Sequence, residues 1–267
     1  MKKGTFKNFI HVLLFGSLVL TACSKSDVVS PQAEAGSDEK PVTEATTGDV
    51  FTQQTLGVTT QKLASAAGNV NPNYLLYVPD TYNSNKTYKW PLVIFLHGIG
   101  EMGTDINKIK NVGLPRVVKG KQFVMVAPQC TASWWNTDAL QAFFKQIITK
   151  YHVDPKRVIL TGLSMGGFQT WVWGEYYPQQ FAAIVPICGG GEVPKAPNLK
   201  TMPIWAFHNK YDPTVAVVNS IDMVNAVRRA GNALVRFTEP SVKSHDAWTA
   251  AYSNAGLFNW MLQQRKP

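Results

Sequence analysis

The chain has 267 residues, of which 45% are hydrophobic and 16% are charged. This length and composition are typical of a globular protein with a substantial core, and they exclude a fibre or a repeat array. The formal net charge is +9, but no stretch combines clustered Lys and Arg with interleaved aromatic residues, so we expect no nucleic-acid binding.

Residues 1–23 have the pattern of an export signal. A basic start precedes an apolar run that is too short to span a membrane. The run ends in LTAC, which resembles the lipobox of bacterial lipoproteins and implies that Cys23 becomes the lipidated first residue. The alternative is a plain signal peptide cleaved nearby. Ser24, rather than aspartate, follows Cys23, and by analogy with lipoprotein sorting this implies the outer membrane.

Residues 24–50 contain no aromatic residue and many Ser, Thr, Ala, Pro and acidic residues. Such a segment cannot bury enough apolar surface to fold alone, so we expect a flexible tether between a lipid anchor and a domain. Residues 51–267 are the predicted folded domain.

From residue 51 onward, apolar runs alternate with amphipathic stretches. Strands are predicted at 73–79, 91–98, 123–128, 157–162, 181–187, 203–208 and 235–240. Helices are predicted at 138–151, with Asp138 as the N-cap, and at 217–230, followed by Gly231. The alternation predicts an α/β fold with a doubly wound, mostly parallel sheet flanked by helices. Active sites of such sheets lie beyond the carboxyl ends of the strands.

The octapeptide LTGLSMGG, residues 160–167, joins a predicted strand to a predicted helix that runs until Pro178. It places Ser164 in a G-x-S-x-G motif, the pattern of a nucleophile elbow, where larger side chains would collide across the tight turn. The helix start also brings positive backbone dipole near the serine. A glycine-rich loop without chemistry is the alternative, and the flanking strand and helix favour the nucleophile.

A serine hydroxyl is a weak nucleophile and needs an adjacent base that takes its proton. The chain order expected for this fold is serine, acid, histidine, and His245 alone satisfies it. His97, His152 and His208 come before the candidate acid, and His11 lies in the export signal.

Asp212 lies just past a predicted strand and is the candidate acid that orients the histidine. Glu239, which follows the last strand, is its main rival. Asp246 is adjacent to His245 in the chain, and adjacent side chains usually point apart.

Two backbone N–H groups should hold the oxyanion of an acyl-transfer reaction. Met165, directly after the nucleophile, is expected to supply one. Ile99, in the loop after the strand at 91–98, is expected to supply the other, with Gly100 as the alternative.

Other residues suggest further roles. Trp134 and Trp135 follow a strand on the active-site side and form either an aromatic wall for a substrate or ordinary packing. Glu101 either braces the oxyanion loop or is simply solvated. Cys130 and Cys188 follow strands that should not be neighbours, so a disulfide is the less favoured alternative. No metal-ligand spacing and no dinucleotide fingerprint is present, so we expect neither a metal nor a cofactor.

Six motifs together resemble one branch of the α/β-hydrolase superfamily, the dienelactone-hydrolase-like and polyhydroxybutyrate-depolymerase-like esterases, some labelled "predicted peptidase". The motifs are LHGIGEMGTD, APQC, VILTGLSMGGFQTW, FAAIVPICGGG, PIWAFHNKYDPTV and SHDAWTAAY, and the resemblance covers about residues 57–264. The resemblance implies an α/β-hydrolase fold and relatives similar to feruloyl and acetyl-xylan esterases. One departure is HNKYD, where relatives commonly have glycine after the histidine.

The expected function is a serine-dependent carboxylic ester hydrolase that works through a Ser-His-Asp triad and an acyl-enzyme. Its expected substrates are acyl esters of polysaccharides or other small esters, and its expected membrane contact is the lipid anchor. A serine peptidase on the same triad is one alternative. A non-catalytic, glycan-binding lipoprotein is another.

Overall fold

The computed structural model describes residues 51–267. The predicted export signal, the predicted lipidation site Cys23 and the predicted tether at 24–50 lie outside the described residues. Within residues 51–267, no helix is both long and apolar enough to cross a bilayer.

An eight-stranded sheet organises the described residues, in the order β1-β2-β4-β3-β5-β6-β7-β8. The strands are β1 Gly57–Lys62, β2 Asn73–Val78, β3 Trp90–Leu96, β4 Val124–Ala127, β5 Val153–Leu163, β6 Ala183–Ile187, β7 Ile204–Phe207 and β8 Val235–Thr238. Strands β3 to β8 are parallel, whereas β1 and β2 pair antiparallel at one edge. The carboxyl ends of the parallel strands therefore meet on one side of the sheet.

Helices cover both faces of this sheet. They are α1 Gly113–Val117, α2 Thr137–Lys150, α3 Met165–Tyr176, α4 Val218–Arg229, α5 Trp248–Ser253 and α6 Ala255–Gln263. Helices α2, α3 and α4 pack on one face, and α1, α5 and α6 pack on the other. Strand β3 alternates between the two layers, with Ile94 facing one and Phe95 the other. Burial on both faces explains why β3 is a continuous apolar run.

The predicted doubly wound, mostly parallel sheet is confirmed. The seven predicted strands correspond to β2–β8, but β1 was not predicted. Its sequence, GVTTQK, alternates between half-exposed and exposed positions, so it offers no apolar run. The helix predicted at 138–151 begins slightly earlier, and the predicted N-cap is wrong. Asn136, not Asp138, caps α2 by accepting a hydrogen bond from the Ala139 N–H at 2.9 Å.

Candidate active site

Ser164 occupies the sharp turn between β5 and α3, with φ 53° and ψ −120°. This left-handed conformation is costly for a residue with a side chain and persists only where its surroundings hold it. The Ser164 N–H donates to the Ile187 carbonyl at 2.9 Å, and the Ser164 carbonyl accepts from the Phe168 N–H at 2.9 Å. Backbone contacts on both sides therefore hold the serine in this conformation.

The glycines of the motif leave no room for side chains. A Cβ at Gly166 would lie 2.1 Å from the Leu96 carbonyl oxygen, and one at Gly162 would lie 2.4 Å from the Gly166 oxygen. Strand β3, the serine turn and the start of α3 pack backbone to backbone. A side chain at either glycine would therefore collide with the neighbouring backbone, as the motif predicts.

The structure brings Ser164, His245 and Asp212 together. His245 Nε2 lies 2.9 Å from Ser164 Oγ, and His245 Nδ1 lies 2.6 Å from Asp212 Oδ2. The Asp212 side chain is buried, whereas 19% of the His245 side chain is exposed. Because a carboxylate can only accept, Nδ1 carries the proton and Nε2 is left to accept the serine hydroxyl proton.

Asp212 is held in its ionised form. Burial alone would raise its pKa, but hydrogen bonds from His245 and from the backbone N–H groups of Val215 and Thr214 outweigh burial and lower the pKa. The two backbone donors lie 3.0 and 2.8 Å from Oδ1. The Asp212 carboxylate therefore keeps its negative charge beside the His245 ring.

His208 lies behind the acid. Its Nε2 is 3.3 Å from Asp212 Oδ2 and 3.0 Å from the Val215 carbonyl oxygen. Both partners are acceptors, so Nε2 carries the proton, and burial lowers the His208 pKa and favours the neutral ring. Its Nδ1 lies 2.8 Å from Ser220 Oγ. The sequence favours His245 over His208 as the base, and it does not indicate the contact between His208 and Asp212.

The other candidate bases and acids of the sequence analysis do not contact Ser164 or His245 through their side chains in the described residues. His97 is buried, donates from Nδ1 to the Gly98 carbonyl at 2.6 Å and accepts the Cys130 N–H at 2.9 Å. Burial lowers the His97 pKa to about 4, which keeps the ring neutral. Asp246 accepts the Thr249 N–H in the first turn of α5, and Glu239 is exposed. Among residues 51–267, Asp212 is the only carboxylate bonded to His245.

The turn Ile99–Glu101 lies against Ser164, because a Cβ at Gly98 would be 3.4 Å from Ser164 Cβ. Glu101 accepts the Gly98 N–H at 3.1 Å through Oε2, which is the contact of a bracing residue. Within residues 51–267, neither the Ile99 N–H nor the Met165 N–H is donated to a protein acceptor. Both groups are free to bind a ligand oxygen.

Trp134 and Trp135 differ in the exposure of their side chains. Trp134 is 47% exposed, and its ring centroid lies 5.9 Å from that of Phe168 on α3. Trp135 is buried, and its indole N–H donates to the His97 carbonyl at 3.2 Å. Of the two alternatives, ordinary packing describes the buried Trp135, whereas Trp134 presents its ring to solvent and could still form an aromatic wall.

Cys130 and Cys188 are both buried free thiols, so the disulfide alternative is wrong. They follow β4 and β6, which are separated by β3 and β5. The Cys188 thiol donates to the His245 carbonyl at 3.2 Å, and burial raises its pKa to about 12. Cys188, Asp212 and His245 bring possible metal-ligand atoms within 4.8 Å of one another, but Asp212 and His245 already form a hydrogen bond with each other.

No family model matches the chain. A curated relative, "Probable feruloyl esterase C" of Aspergillus terreus, is 24% identical over 180 residues, which cover 61% of this chain and 63% of the relative. A solved thermostable esterase is 33% identical with a TM-score of 0.65, covering 78% of this chain and 63% of that one. This chain thus spans less than two thirds of the length of both proteins.

A solved putative dienelactone hydrolase of Klebsiella pneumoniae has a TM-score of 0.59. It is 17% identical, and the match covers 79% of this chain and all of that chain. At this identity the likeness establishes a shared fold.

Proposed function

We propose that this chain, an α/β-hydrolase related to the esterase and dienelactone-hydrolase-like branch of that superfamily, is a serine-dependent carboxylic ester hydrolase. The observation that carries the proposal is the continuous hydrogen-bonded series from Ser164 Oγ through His245 to the buried Asp212 carboxylate. The names of the related esterases support the same reaction class.

The geometry supports an acyl-transfer reaction in two steps. Ser164 Oγ attacks the ester carbonyl carbon while His245 Nε2 takes the hydroxyl proton. The C–O bond to the alcohol breaks as His245 passes that proton to the leaving oxygen, and an acyl-enzyme forms. Water then attacks the acyl carbon and gives a proton to His245. The bond between the acyl carbon and Ser164 Oγ breaks as His245 returns that proton to Oγ, which releases the acid and the free serine.

Four further residues assist Ser164 and His245 in the proposed reaction. Asp212 stays ionised and stabilises the imidazolium that forms on His245. The free N–H groups of Ile99 and Met165 are the proposed donors to the oxyanion. Glu101 fixes the turn that carries the first of them, through its hydrogen bond to Gly98.

Acyl esters of polysaccharides are the proposed substrates. Two curated relatives carry the names feruloyl esterase and acetylxylan esterase/xylanase, the second from Neocallimastix patriciarum. The exposed Trp134 ring near the site offers a flat surface for a sugar or a cinnamoyl ring. We also propose that Cys23 carries a lipid anchor and holds the enzyme at the outer membrane, on the strength of the LTAC motif.

Turnover of small esters tests the proposal. We expect purified protein to hydrolyse nitrophenyl acetate and methyl ferulate, and Ser164→Ala to lose this activity by roughly four orders of magnitude or more. Peptide nitroanilides run alongside separate an esterase from a peptidase. Folded protein that turns over no ester would instead support a non-catalytic glycan-binding protein and overturn the proposal.

A further inference from the structure

Helix α3 presents one line of side chains to the surface, and that line begins at the nucleophile. Ser164, Phe168, Val172 and Tyr176 are accessible, and every residue between them is buried. The spacing of four residues keeps these side chains on one face of the helix. Twelve residues at 1.5 Å each extend the line about 18 Å from the serine. We name these four residues together with Trp134 the α3 strip.

A cavity of about 450 Å³ lies along the strip, and Trp134, Gln169, Val172, Tyr176 and Glu192 are among its lining residues. Trp134 and Tyr176 are each 47% exposed. Large aromatic side chains usually bury most of their area, so two half-exposed rings on one cavity are unusual for a surface with no ligand.

Polar groups border the two rings. The Tyr176 hydroxyl donates to the Glu192 carboxylate at 3.1 Å, and Lys195 Nζ lies 4.1 Å from the centre of the Tyr176 ring. Asp138 lines the same cavity and is exposed. The cavity therefore combines flat apolar faces with two carboxylates, those of Glu192 and Asp138.

This mixture fits a carbohydrate better than an aliphatic chain. A pyranose ring has an apolar C–H face that can lie on an aromatic ring, and hydroxyls around its rim that bond to carboxylates. An aliphatic chain would cover Glu192 and Asp138 without offering them a hydrogen bond, which costs free energy. The length of about 18 Å exceeds a single sugar and suits a short oligosaccharide.

We infer that the α3 strip binds the glycan part of an ester substrate and places its acyl group at Ser164. This inference rests on the proposed esterase function, and it adds a site for several consecutive sugar units. The rings of Trp134 and Tyr176 are the two main stacking surfaces. Val172 also lines the cavity, and the Phe168 ring contacts that of Trp134.

The test compares acetylated xylo-oligosaccharides of increasing length with nitrophenyl acetate. For the wild type we expect the ratio of kcat/KM for oligosaccharide to that for nitrophenyl acetate to rise with length, mainly through a lower KM. Trp134→Ala and Tyr176→Ala should each lower this ratio for the longest substrate by roughly tenfold, the loss expected for one stacked ring. Tyr176→Phe keeps the ring and should keep the length dependence.

Tyr88→Ala is the matched control. Tyr88 is another exposed ring, 38% accessible, and it lines a different cavity that shares no residue with the cavity along the strip. We expect this variant to keep the wild-type ratio at every length. A wild-type ratio that does not change with length, or a Tyr176→Ala ratio equal to that of Tyr88→Ala, would overturn the inference.

Binding of unacetylated xylohexaose, measured by calorimetry on full-length folded protein, separates the two proposals. Tight binding by wild type that weakens in Tyr176→Ala supports the strip even if no ester is cleaved. Ester cleavage without xylohexaose binding overturns the strip and leaves the esterase proposal standing. Preferential binding of a peptide or of an oligomeric hydroxybutyrate also overturns the strip.

Discussion

At the scale of single residues, the buried acid determines how the site is protonated. Asp212 accepts from His245, from two backbone N–H groups and, at longer distance, from His208. Each of these contacts favours the carboxylate over the carboxylic acid. The ionised acid in turn fixes the tautomer of His245 that can take the Ser164 proton.

Replacing this acid with its amide should disable the site without unfolding it. In Asp212→Asn the amide can donate a proton to His245 Nδ1 and so favour the wrong tautomer. We expect kcat for nitrophenyl acetate to fall by roughly 10⁴-fold. Asp246→Asn is the control, since Asp246 is next to His245 in the chain but bonds to Thr249. A larger loss in Asp246→Asn than in Asp212→Asn would show that the acid has been misassigned.

At the scale of elements, close backbone packing positions the serine turn. The contacts of Gly162 and Gly166 show that β3, β5 and α3 approach one another without room for a methyl group. The loop after β6 is held in turn by Glu175 near the end of α3, whose two carboxylate oxygens accept the Glu192 N–H at 3.0 and 3.1 Å.

Gly166 lies where the serine turn packs directly against the backbone of β3. Gly166→Ala should lower the free energy of unfolding in urea by more than about 3 kcal/mol or prevent folding, because the new methyl group meets the Leu96 carbonyl. Gly100→Ala is the control for stability, since a Cβ there meets no atom within 4 Å. Equal stabilities of the two variants would contradict the packing described for the turn.

Glu175 should make the free energy of unfolding depend on pH. Burial raises the pKa of Glu175 from 4.5 to about 7. Between these values the folded protein holds a proton that the unfolded chain has released, so stability falls as pH rises through this window. Glu175→Gln removes this contribution. Relative to the variant, wild type should lose about 2 to 3 kcal/mol of unfolding free energy between about pH 5 and about pH 8.

Urea unfolding of both proteins across this pH range measures the effect. The same pH dependence in Glu175→Gln and in wild type would assign the titration to another group.

The sequence is most informative where burial is complete. Strand β3 and the G-x-S-x-G motif could be predicted because a strand buried on both faces is apolar throughout and a tight turn requires glycine. Strand β1 is an exposed edge without an apolar pattern, and the burial of Trp135 depends on His97, which is distant in the chain. The α3 strip escaped prediction because the buried side of α3 contains polar residues, Gln169 and Glu175 among them.

At the scale of the whole molecule, the proposed site opens at the carboxyl edge of the sheet, and the proposed anchor lies at the other end of a predicted tether. Such an arrangement would keep the folded domain close to a membrane. It depends on Cys23, which precedes the described residues.

Cys23→Ser should move the protein from the membrane fraction to the soluble fraction and abolish incorporation of labelled palmitate in cells that process lipoproteins. Cys130→Ser is the control, because the Cys130 thiol is buried in the domain, and it should stay in the membrane fraction with its label. A Cys23→Ser protein that still carries label would contradict the proposed anchor.

Covalent labelling by a fluorophosphonate, located by mass spectrometry, tests most directly that Ser164 is the activated nucleophile. We expect the phosphonyl group on the peptide that contains Ser164, no such label in Ser164→Ala, and much slower labelling in His245→Gln. Folded wild-type protein that resists the probe, or a Ser164→Ala variant labelled as fast as wild type, would contradict the proposed chemistry.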